Sequence, residues 1–408
     1  MSGPRLYLAI DNCFAAKRWT EPLEWAQAIK NLGLDCVEAS ADNECDPLYA
    51  DPDYLKDWLQ AVKIARQRTG VKVVNLYSGH GTYASLGITS SDSRNRRRMV
   101  EQWLKVLIRN AAQLQAGVGF FCHAFDHQTL QHPDSFRKAR LSLYDQLAEV
   151  AVYSADCGTT TAAIEQMYSP HQIPWTIQGA RNLLREVWER DGKPFYITID
   201  TGHQTGQRKF LRPGPPELLE LLRAVRLNDK SLRGKWLGPD SAYALFRRAV
   251  CASPEDEDAY IRQIEAEMDR CAYLFAEPED ADLEAWLRQL GCYSPIIHLQ
   301  QTNGTSSSHL PFTREMNERG IVRADKVLHA IRTAYAQDPE AGMPPRCEKI
   351  FLTLEIFPET TALPFDIASF LEESVAYWRK FVPRDGIRLD EVPEIERSSS
   401  GQKDFVRQ

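Results

Sequence analysis

The chain has 408 residues, 43% of them hydrophobic and 26% charged, a composition typical of a globular protein and unlike that of a disordered chain. Lys and Arg number 49 against 56 Asp and Glu, so the net charge of -7 argues against nucleic acid as a partner. Because neither a signal-peptide core nor an apolar run of about 18 residues occurs, we expect a cytoplasmic protein that does not bind membranes.

Short β-rich runs alternate with longer stretches of helical periodicity, as in a parallel sheet built from βα units. The stretch PLEWAQAIKNLG, which ends at Gly33, is typical of the helical segments. The eight predicted strands are residues 6–10, 36–39, 72–77, 117–123, 161–166, 195–200, 296–300 and 350–356. This pattern predicts a closed (β/α)8 TIM barrel, and no glycine-rich nucleotide-binding loop follows a strand.

The connection between predicted strands six and seven is far longer than one crossover helix requires. We predict one catalytic barrel domain at residues 1–390, with a largely helical insertion at about 204–280. The insertion is interpreted either as a lid or subunit contact, or as a helical decoration of the barrel. A subunit contact would make the protein a homo-oligomer, and the sequence does not decide this. Residues 391–408 are polar and serine-rich, so we expect a disordered tail.

Polar residues at the carboxyl ends of barrel strands face the catalytic mouth of such a fold. Glu165, Asp200, His298 and Glu355 interrupt the apolar runs of strands five to eight, in that order. Each alone has an ordinary explanation, such as an arginine partner, a structural histidine or a turn cap. Together they predict an oxygen-rich metal site, with Mn²⁺ as the first choice, Mg²⁺ or Co²⁺ as close alternatives, and Zn²⁺ still open.

Such a site suits proton transfer next to a carbonyl group, because a divalent ion chelated by adjacent hydroxyl and carbonyl oxygens, such as those of a sugar, acidifies the neighbouring C–H and stabilises an enediolate. Glu165 and Glu355 are the candidate acid/base pair. Proton exchange on one carbon from opposite faces gives epimerisation, whereas transfer between C1 and C2 gives aldose–ketose isomerisation. The residues leave this choice open, and they do not separate a sugar from a sugar phosphate.

Further polar and aromatic residues follow the predicted strands and are candidates for substrate binding. Gln300 shares the strand face of His298, and glycines flank His80, as a chain passing close to a ligand requires. A buried core histidine is the rival interpretation for His123, and a helix-packing residue is the rival for Trp175. The candidate substrate-binding residues are His80, His123, Trp175, His203, Gln300 and His309.

At the four strand ends the chain resembles the xylose isomerase-like TIM barrels, which include sugar isomerases and ketose 3-epimerases. The resemblance spans most of residues 5–385. It implies a divalent metal bound by the Glu, Asp, His and Glu of strands five to eight, which correspond here to the four residues named above. The motif DTGH also matches the family's strand-six signature, which implies that Asp200 binds metal and His203 binds substrate.

Two positions depart from the 3-epimerase branch of that family. The epimerases carry a second Glu six residues after the first and an Arg six residues after the metal-binding His, where this chain has His171 and Gly304. Substrate contacts are therefore not transferred from that branch.

The sequence thus predicts a metal-dependent sugar or sugar-phosphate isomerase or epimerase acting on a small molecule. One rival is a metal-dependent keto-polyol dehydratase of the same superfamily, with His203 or His309 as the acid. A nuclease resembling endonuclease IV is disfavoured because the strand ends hold too few histidines. A binding or partner subunit on a barrel that lost catalysis is disfavoured by the retention of Glu165 and Glu355.

Overall fold

A closed parallel barrel forms the centre of the protein. The computed structural model describes residues 3–79, 81, 83–227 and 234–393. Within them, eight parallel strands close into a barrel because β1 pairs with both β2 and β8. The strands are β1 Arg5–Asp11, β2 Cys36–Ser40, β3 Lys72–Ser78, β4 Gly117–Phe120, β5 Ala162–Glu165, β6 Tyr196–Asp200, β7 Ile296–Leu299 and β8 Lys349–Leu354. The predicted (β/α)8 architecture is confirmed, and a two-residue strand β9 (Ile387–Arg388) adds to β1 in antiparallel orientation.

Helices surround the barrel in chain order. The α-helices are α1 Pro22–Asn31, α2 Ala41–Glu44, α3 Pro52–Thr69, α4 Ser93–Arg98, α5 Lys105–Leu114, α6 His127–Gln131, α7 Pro133–Cys157, α8 Ile177–Asp191, α9 Gln204–Gln207, α10 Pro215–Arg226, α11 Asp240–Cys251, α12 Glu257–Arg270, α13 Leu283–Leu290, α14 Arg314–Arg319, α15 Ala324–Ala336 and α16 Pro364–Arg379. A π-helical segment, Met99–Leu104, joins α4 to α5. Among the helices of the described residues, none combines the length and apolar character of a membrane-spanning segment.

The two faces of each strand differ in chemistry because successive side chains alternate between the barrel interior and the helices. In β8, Leu352 and Leu354 face the helices, and Thr353 lies on the interior face. The interior holds polar and small residues. Gly119 makes room there, since a Cβ at this position would lie 2.8 Å from the Tyr77 ring and 2.9 Å from Asn75 Nδ2.

Residues 201–295 connect β6 to β7, and their described part contains α9 to α13. Helix α13 packs against α8 and α15 in the outer ring, whereas α10, α11 and α12 pack on one another. Tyr273 of this connection stacks on Phe136 with ring centroids 4.2 Å apart, and Asp280 Oδ1 accepts a hydrogen bond from Ile177 N at 2.7 Å. The connection therefore lies against the helices that follow β4 and β5.

The carboxyl-terminal segment closes the amino-terminal end of the barrel. Gly386 N donates to Leu6 O at 2.8 Å, and Leu389 N donates to Pro4 O at 2.9 Å. Val392 is buried and its carbonyl accepts a hydrogen bond from the Arg332 guanidinium. Of the predicted tail, only residues 391–393 are described, and the remainder lies outside the described residues.

Candidate active site

Four ligand-type side chains from successive strands meet at the carboxyl end of the barrel. Glu165 and Asp200 end β5 and β6, His298 lies in β7, and Glu355 directly follows β8. One donor atom from each lies within 4.8 Å of the others, and all four residues are buried. The pairing of Asp200 with His298 in the sheet register brings neighbouring donors to the same level. The structure thus brings together all four residues that the sequence predicted as ligands.

The donor set fits a divalent cation. Glu165 Oε2 is buried and has no hydrogen-bond partner among the described residues. Burying a carboxylate oxygen without a partner costs several kcal/mol unless a cation compensates. Three carboxylates with one imidazole nitrogen give the oxygen-rich environment that Mn²⁺ and Mg²⁺ prefer.

His298 lies between the other three residues of the cluster and Glu38, a carboxylate of β2 that is not part of the cluster. Its Nδ1 lies 3.3 Å from Glu165 Oε1 and 3.3 Å from Glu355 Oε2. Its Nε2 lies 3.1 Å from Glu38 Oε1, which also accepts a hydrogen bond from Asn75 Nδ2 at 3.2 Å. An Nε2–H donated to Glu38 leaves Nδ1 free of hydrogen and directed at the cluster, the arrangement that orients metal-binding histidines.

The two glutamates of the cluster differ in proton affinity. Burial raises the pKa of Glu165 to about 7, although the charge of His298 opposes the shift. Burial acts on Glu355 in the same sense, but the imidazoles of His298, His309 and His203 outweigh it and hold the pKa of Glu355 below its usual value. Despite burial, the neighbouring carboxylates raise the pKa of His298 well above its usual value.

Two further histidines lie beside the cluster. His203 Nδ1 donates to the Gln166 carbonyl at 2.7 Å, so Nε2 is the nitrogen left for a ligand. His309 has a φ of 45°, an uncommon value for a residue other than glycine, and stacks on Phe357 at 4.1 Å. Its Nδ1 lies 3.4 Å from Glu355 Oε2, whose charge raises the pKa of His309 to about 9 against the effect of burial.

Both the amide nitrogen and the amide oxygen of Gln300 form hydrogen bonds within the protein. Its Nε2 donates to both carboxylate oxygens of Asp200, at 2.8 and 2.9 Å. Its Oε1 accepts from Ser308 N at 2.9 Å and from His309 N at 2.6 Å. Gly202 makes room for it, since a Cβ there would lie 2.5 Å from the Gln300 amide. Gln300 therefore links Asp200 to the loop that carries His309, and we do not retain it as a substrate contact.

A cavity of about 440 Å³ opens above the cluster. It is lined by His203, His309 and Glu355, and by residues that the sequence did not single out, including Asp11 and Tyr77. Burial, and then the charge of the neighbouring carboxylate on β2, raises the pKa of Asp11 well above its usual value. None of the described residues of the predicted insertion at about 204–280 lines this cavity, and a role as a lid stays a prediction.

Two other predicted substrate contacts, His123 and Trp175, do not line this cavity. Strand β4 ends at Phe120 instead of reaching His123, which is buried against Trp103 and accepts a hydrogen bond from Ile88 N at 3.4 Å. Trp175 is buried against Phe210, with ring centroids 5.6 Å apart, beside the helical connection. His123 thus lies behind the cavity wall, since a Cβ on the lining residue Gly81 would be 3.6 Å from His123 Nε2. His80 lies outside the described residues.

The sequence of residues 26–236, about half of the chain, matches the family model described as xylose isomerase-like TIM barrel. The protein belongs to the xylose isomerase-like TIM-barrel family. The resemblance drawn from the strand-end residues and the DTGH motif is thereby confirmed at the level of the family.

One curated relative matches a limited part of this xylose isomerase-like protein. The D-erythrulose 1-phosphate 3-epimerase of Brucella abortus (strain 2308) is 31% identical over 114 residues, which are 28% of this chain and 33% of the relative. The match thus spans about a third of that relative's length.

Solved structures share the fold over nearly the whole chain. A Rhodospirillum rubrum protein provisionally assigned as a xylose isomerase superposes with a TM-score of 0.63 at 18% identity, covering 92% of this chain and 98% of its own. The 3-keto-D-glucoside 4-epimerase of E. coli superposes with a TM-score of 0.53 at 14% identity, covering 92% and 99%. At such low identities these likenesses establish the fold and not the activity.

Proposed function

We propose that this protein is a divalent-metal-dependent sugar isomerase or epimerase that moves a proton through an enediolate. The observation that carries the proposal is the convergence of Glu165, Asp200, His298 and Glu355 within 4.8 Å at the mouth of the barrel. The D-erythrulose 1-phosphate 3-epimerase relative supports the reaction class, because it is named as an epimerase of a sugar derivative.

The four residues would hold the ion, with Mn²⁺ as the first choice and Mg²⁺, Co²⁺ or Zn²⁺ as alternatives. When bound, a divalent ion supplies the positive charge that polarises a ketose carbonyl and acidifies the neighbouring C–H. Glu38 is a positioning residue in this proposal, since its carboxylate lies 3.1 Å from His298 Nε2 and fixes the tautomer of that ring.

The two glutamates of the cluster are the proposed acid and base. Glu165 removes a proton from the carbon next to the carbonyl, and Glu355 passes to the enediolate a proton that it receives from His309, whose Nδ1 lies 3.4 Å from Glu355 Oε2. If the proton is delivered to the same carbon from the opposite face, the configuration of that carbon is inverted and the reaction is an epimerisation. If the proton is delivered to the neighbouring carbon, the carbonyl group changes position and the reaction is an isomerisation. His203, through Nε2, and His309 line the cavity and are the proposed contacts for substrate oxygens.

Uptake of deuterium from solvent tests the proposal. The protein, freed of metal with a chelator and reloaded with Mn²⁺, is incubated with a panel of ketoses and aldoses in D₂O, and carbon-bound deuterium is followed by NMR. We expect uptake with Mn²⁺, its loss with chelator, and a loss of about 10²-fold or more in the Asp200→Asn variant. Asp53→Asn is the matched control, because the Asp53 carboxylate is exposed on α3 and its ion-pair partner among the described residues is Lys56, at 2.6 Å.

Two results would contradict the proposal. Equal uptake with and without metal, or full uptake in Asp200→Asn, would show that the four-residue cluster is not the reaction centre. A product lighter than the substrate by one water molecule would instead identify the dehydratase reaction, since isomerisation and epimerisation leave the composition unchanged.

A further inference from the structure

The cavity above the cluster differs in charge from a site built to hold a phosphate group. Phosphate groups are bound by Arg or Lys side chains, or by free N–H groups at helix starts and in glycine-rich loops. Among the described residues that line the cavity there is no Lys and no Arg, whereas Asp11, Asp42 and Glu355 contribute carboxyl groups. The basic side chains of the described wall are therefore limited to the imidazoles of His203 and His309, against three carboxyl groups.

The metal cluster adds to this imbalance. Glu165, Asp200 and Glu355 are three carboxylates, and an ion of charge +2 neutralises only two of them. Like charges that meet inside a narrow, partly dehydrated site repel strongly, because the effective dielectric constant there is far below that of water. A phosphate dianion placed in the cavity beside the loaded centre would meet these carboxylates and that of Asp42, and the imidazole of His309 is already directed at Glu355 Oε2, 3.4 Å away.

Arginines in the loops at this end of the barrel are engaged elsewhere. Arg18 donates to the carbonyls of Glu359 and Ala362, at 3.0 and 2.8 Å, and so anchors the loop after β8. Arg208 reaches the Gly304 carbonyl at 3.4 Å and lines a separate surface depression. Neither guanidinium is among the groups that line the cavity.

Backbone N–H groups that could replace a cation are also occupied. Gly79, in the glycine-containing loop after β3, donates its N–H to Asp42 Oδ2 at 2.8 Å. At the start of α14, in a loop region where TIM barrels frequently bind phosphate, Arg314 N donates to Glu373 Oε2 at 3.2 Å and Met316 N to Thr313 Oγ1 at 3.2 Å. The protein's own side chains therefore use these donors.

The remaining wall fits an uncharged polyol. Tyr77 and Phe121 form an edge-to-face pair with ring centroids 5.2 Å apart, and Phe357 stands at the rim with half of its surface exposed. Flat apolar rings suit the C–H faces of a sugar, and hydrogen-bonding groups such as the Ser40 hydroxyl and the His203 ring suit its hydroxyls. The cavity volume of about 440 Å³ is within the range of roughly 300–1,000 Å³ found for small-molecule sites.

We propose that the substrate is an uncharged keto sugar or keto polyol and not a sugar phosphate. This inference rests on the proposed function, and it names the substrate class of the same site. It separates this protein from the relative named as a D-erythrulose 1-phosphate 3-epimerase.

Matched pairs of substrates test the inference on the full chain loaded with Mn²⁺. Deuterium uptake is measured for free D-erythrulose, D-ribulose and D-fructose, and for a phosphate ester of each. We expect kcat/KM to be at least about tenfold higher for the free member of every pair that reacts. Calorimetric binding of erythritol against erythritol 4-phosphate gives a second measurement that needs no turnover, and we expect the free polyol to bind about tenfold more tightly.

A charge placed at the rim sharpens the test. Ala84 is exposed and lines the cavity, so Ala84→Arg adds the cation that the described wall lacks, and Ala84→Gln adds similar bulk without charge. Relative to Ala84→Gln, we expect Ala84→Arg to shift the preference toward the phosphate esters by about tenfold.

The outcomes separate the two proposals. Preferred reaction and binding of the phosphate esters would overturn the uncharged-substrate inference and leave metal-dependent proton transfer standing. Uptake with no member of either series, together with no binding of either polyol, would overturn the proposed function itself.

Discussion

Carboxylates serve opposite purposes at the mouth of the barrel, where they are buried, and at its periphery, where they are half-buried. At the periphery, Glu340 forms ion pairs with Arg181 and Arg185, and Asp385 forms one with Arg379 at 2.8 Å. At the mouth, Glu165 and Glu355 lie near imidazoles and near each other. No Lys or Arg forms an ion pair with them among the described residues.

This difference separates stability from function. An arginine partner compensates a carboxylate for lost hydration, so the peripheral pairs are compatible with a stable fold in the absence of any ligand. A group of buried carboxylates without such partners lowers the stability of the fold. The binding of a cation explains why such a group is present at the mouth of the barrel. Charge-neutralising substitutions are therefore expected to have opposite effects in the two regions.

The largest expected effect is that of Glu165→Gln. We expect the rate of deuterium uptake to fall by about 10³-fold, because an amide cannot take a proton from carbon. Uptake at the parent rate would refute the assignment of Glu165 as base.

The same variant is expected to gain stability when metal is absent. The pKa of Glu165 is raised to about 7 in the folded protein. Its ionisation therefore lowers the free energy of unfolding in full at a pH above 7, and has no such effect at a pH below the pKa of a glutamate in the unfolded chain. In chelator-treated protein, Glu165→Gln should therefore raise the free energy of unfolding by about 1–3 kcal/mol at pH 8, and by much less at pH 4. Urea denaturation at the two pH values measures this difference.

Glu38→Gln is expected to have the next largest effect. The amide would accept a hydrogen bond from His298 Nε2 less strongly than the carboxylate that now lies 3.1 Å away, so the ring is held less firmly. We expect Mn²⁺ affinity to fall by about 10–100-fold, measured by calorimetry on the metal-free protein.

Glu44→Gln is the matched control for Glu38→Gln. Glu44 is also a largely buried glutamate, but it accepts hydrogen bonds from Trp25, Trp58 and Asn12 away from the cluster. Its substitution should leave Mn²⁺ affinity unchanged. An unchanged affinity in Glu38→Gln as well would show that this carboxylate does not position His298, and the NMR tautomer signal of that ring provides an independent readout.

The sequence was sufficient to predict the barrel and its ligand cluster because both depend on local patterns. Each strand is an apolar run of four to seven residues, and in strands five to eight one polar residue marks the end that faces the mouth. In a parallel barrel all such ends lie on one side. Glu165, Asp200, His298 and Glu355 therefore converge without knowledge of any long-range contact.

Other parts of the site could not be predicted because they depend on packing across the barrel. Glu38 interrupts an apolar strand just as the four ligands do, but nothing in the sequence indicates that it meets His298 from the opposite wall. Gln300 was placed on the correct strand face, yet its role follows from bonds to Asp200 and to the His309 backbone. The position of Trp175 depends on the path of the loop after β5, and the periodicity of a strand does not predict the path of the loop that follows it.

The smallest expected effect is that of Asp385→Asn at the amino-terminal end of the barrel. The Asp385 carboxylate receives two bonds from Arg379, at 2.8 and 3.0 Å, and one from Leu8 N at 2.9 Å. The amide keeps one acceptor and loses the charge, so we expect the free energy of unfolding to fall by about 1–2 kcal/mol. Mn²⁺ affinity and deuterium uptake should stay at the parent values because the metal cluster lies at the other end of β1. If this variant lost metal binding while keeping its stability, the division between a stabilising periphery and a functional mouth would be wrong.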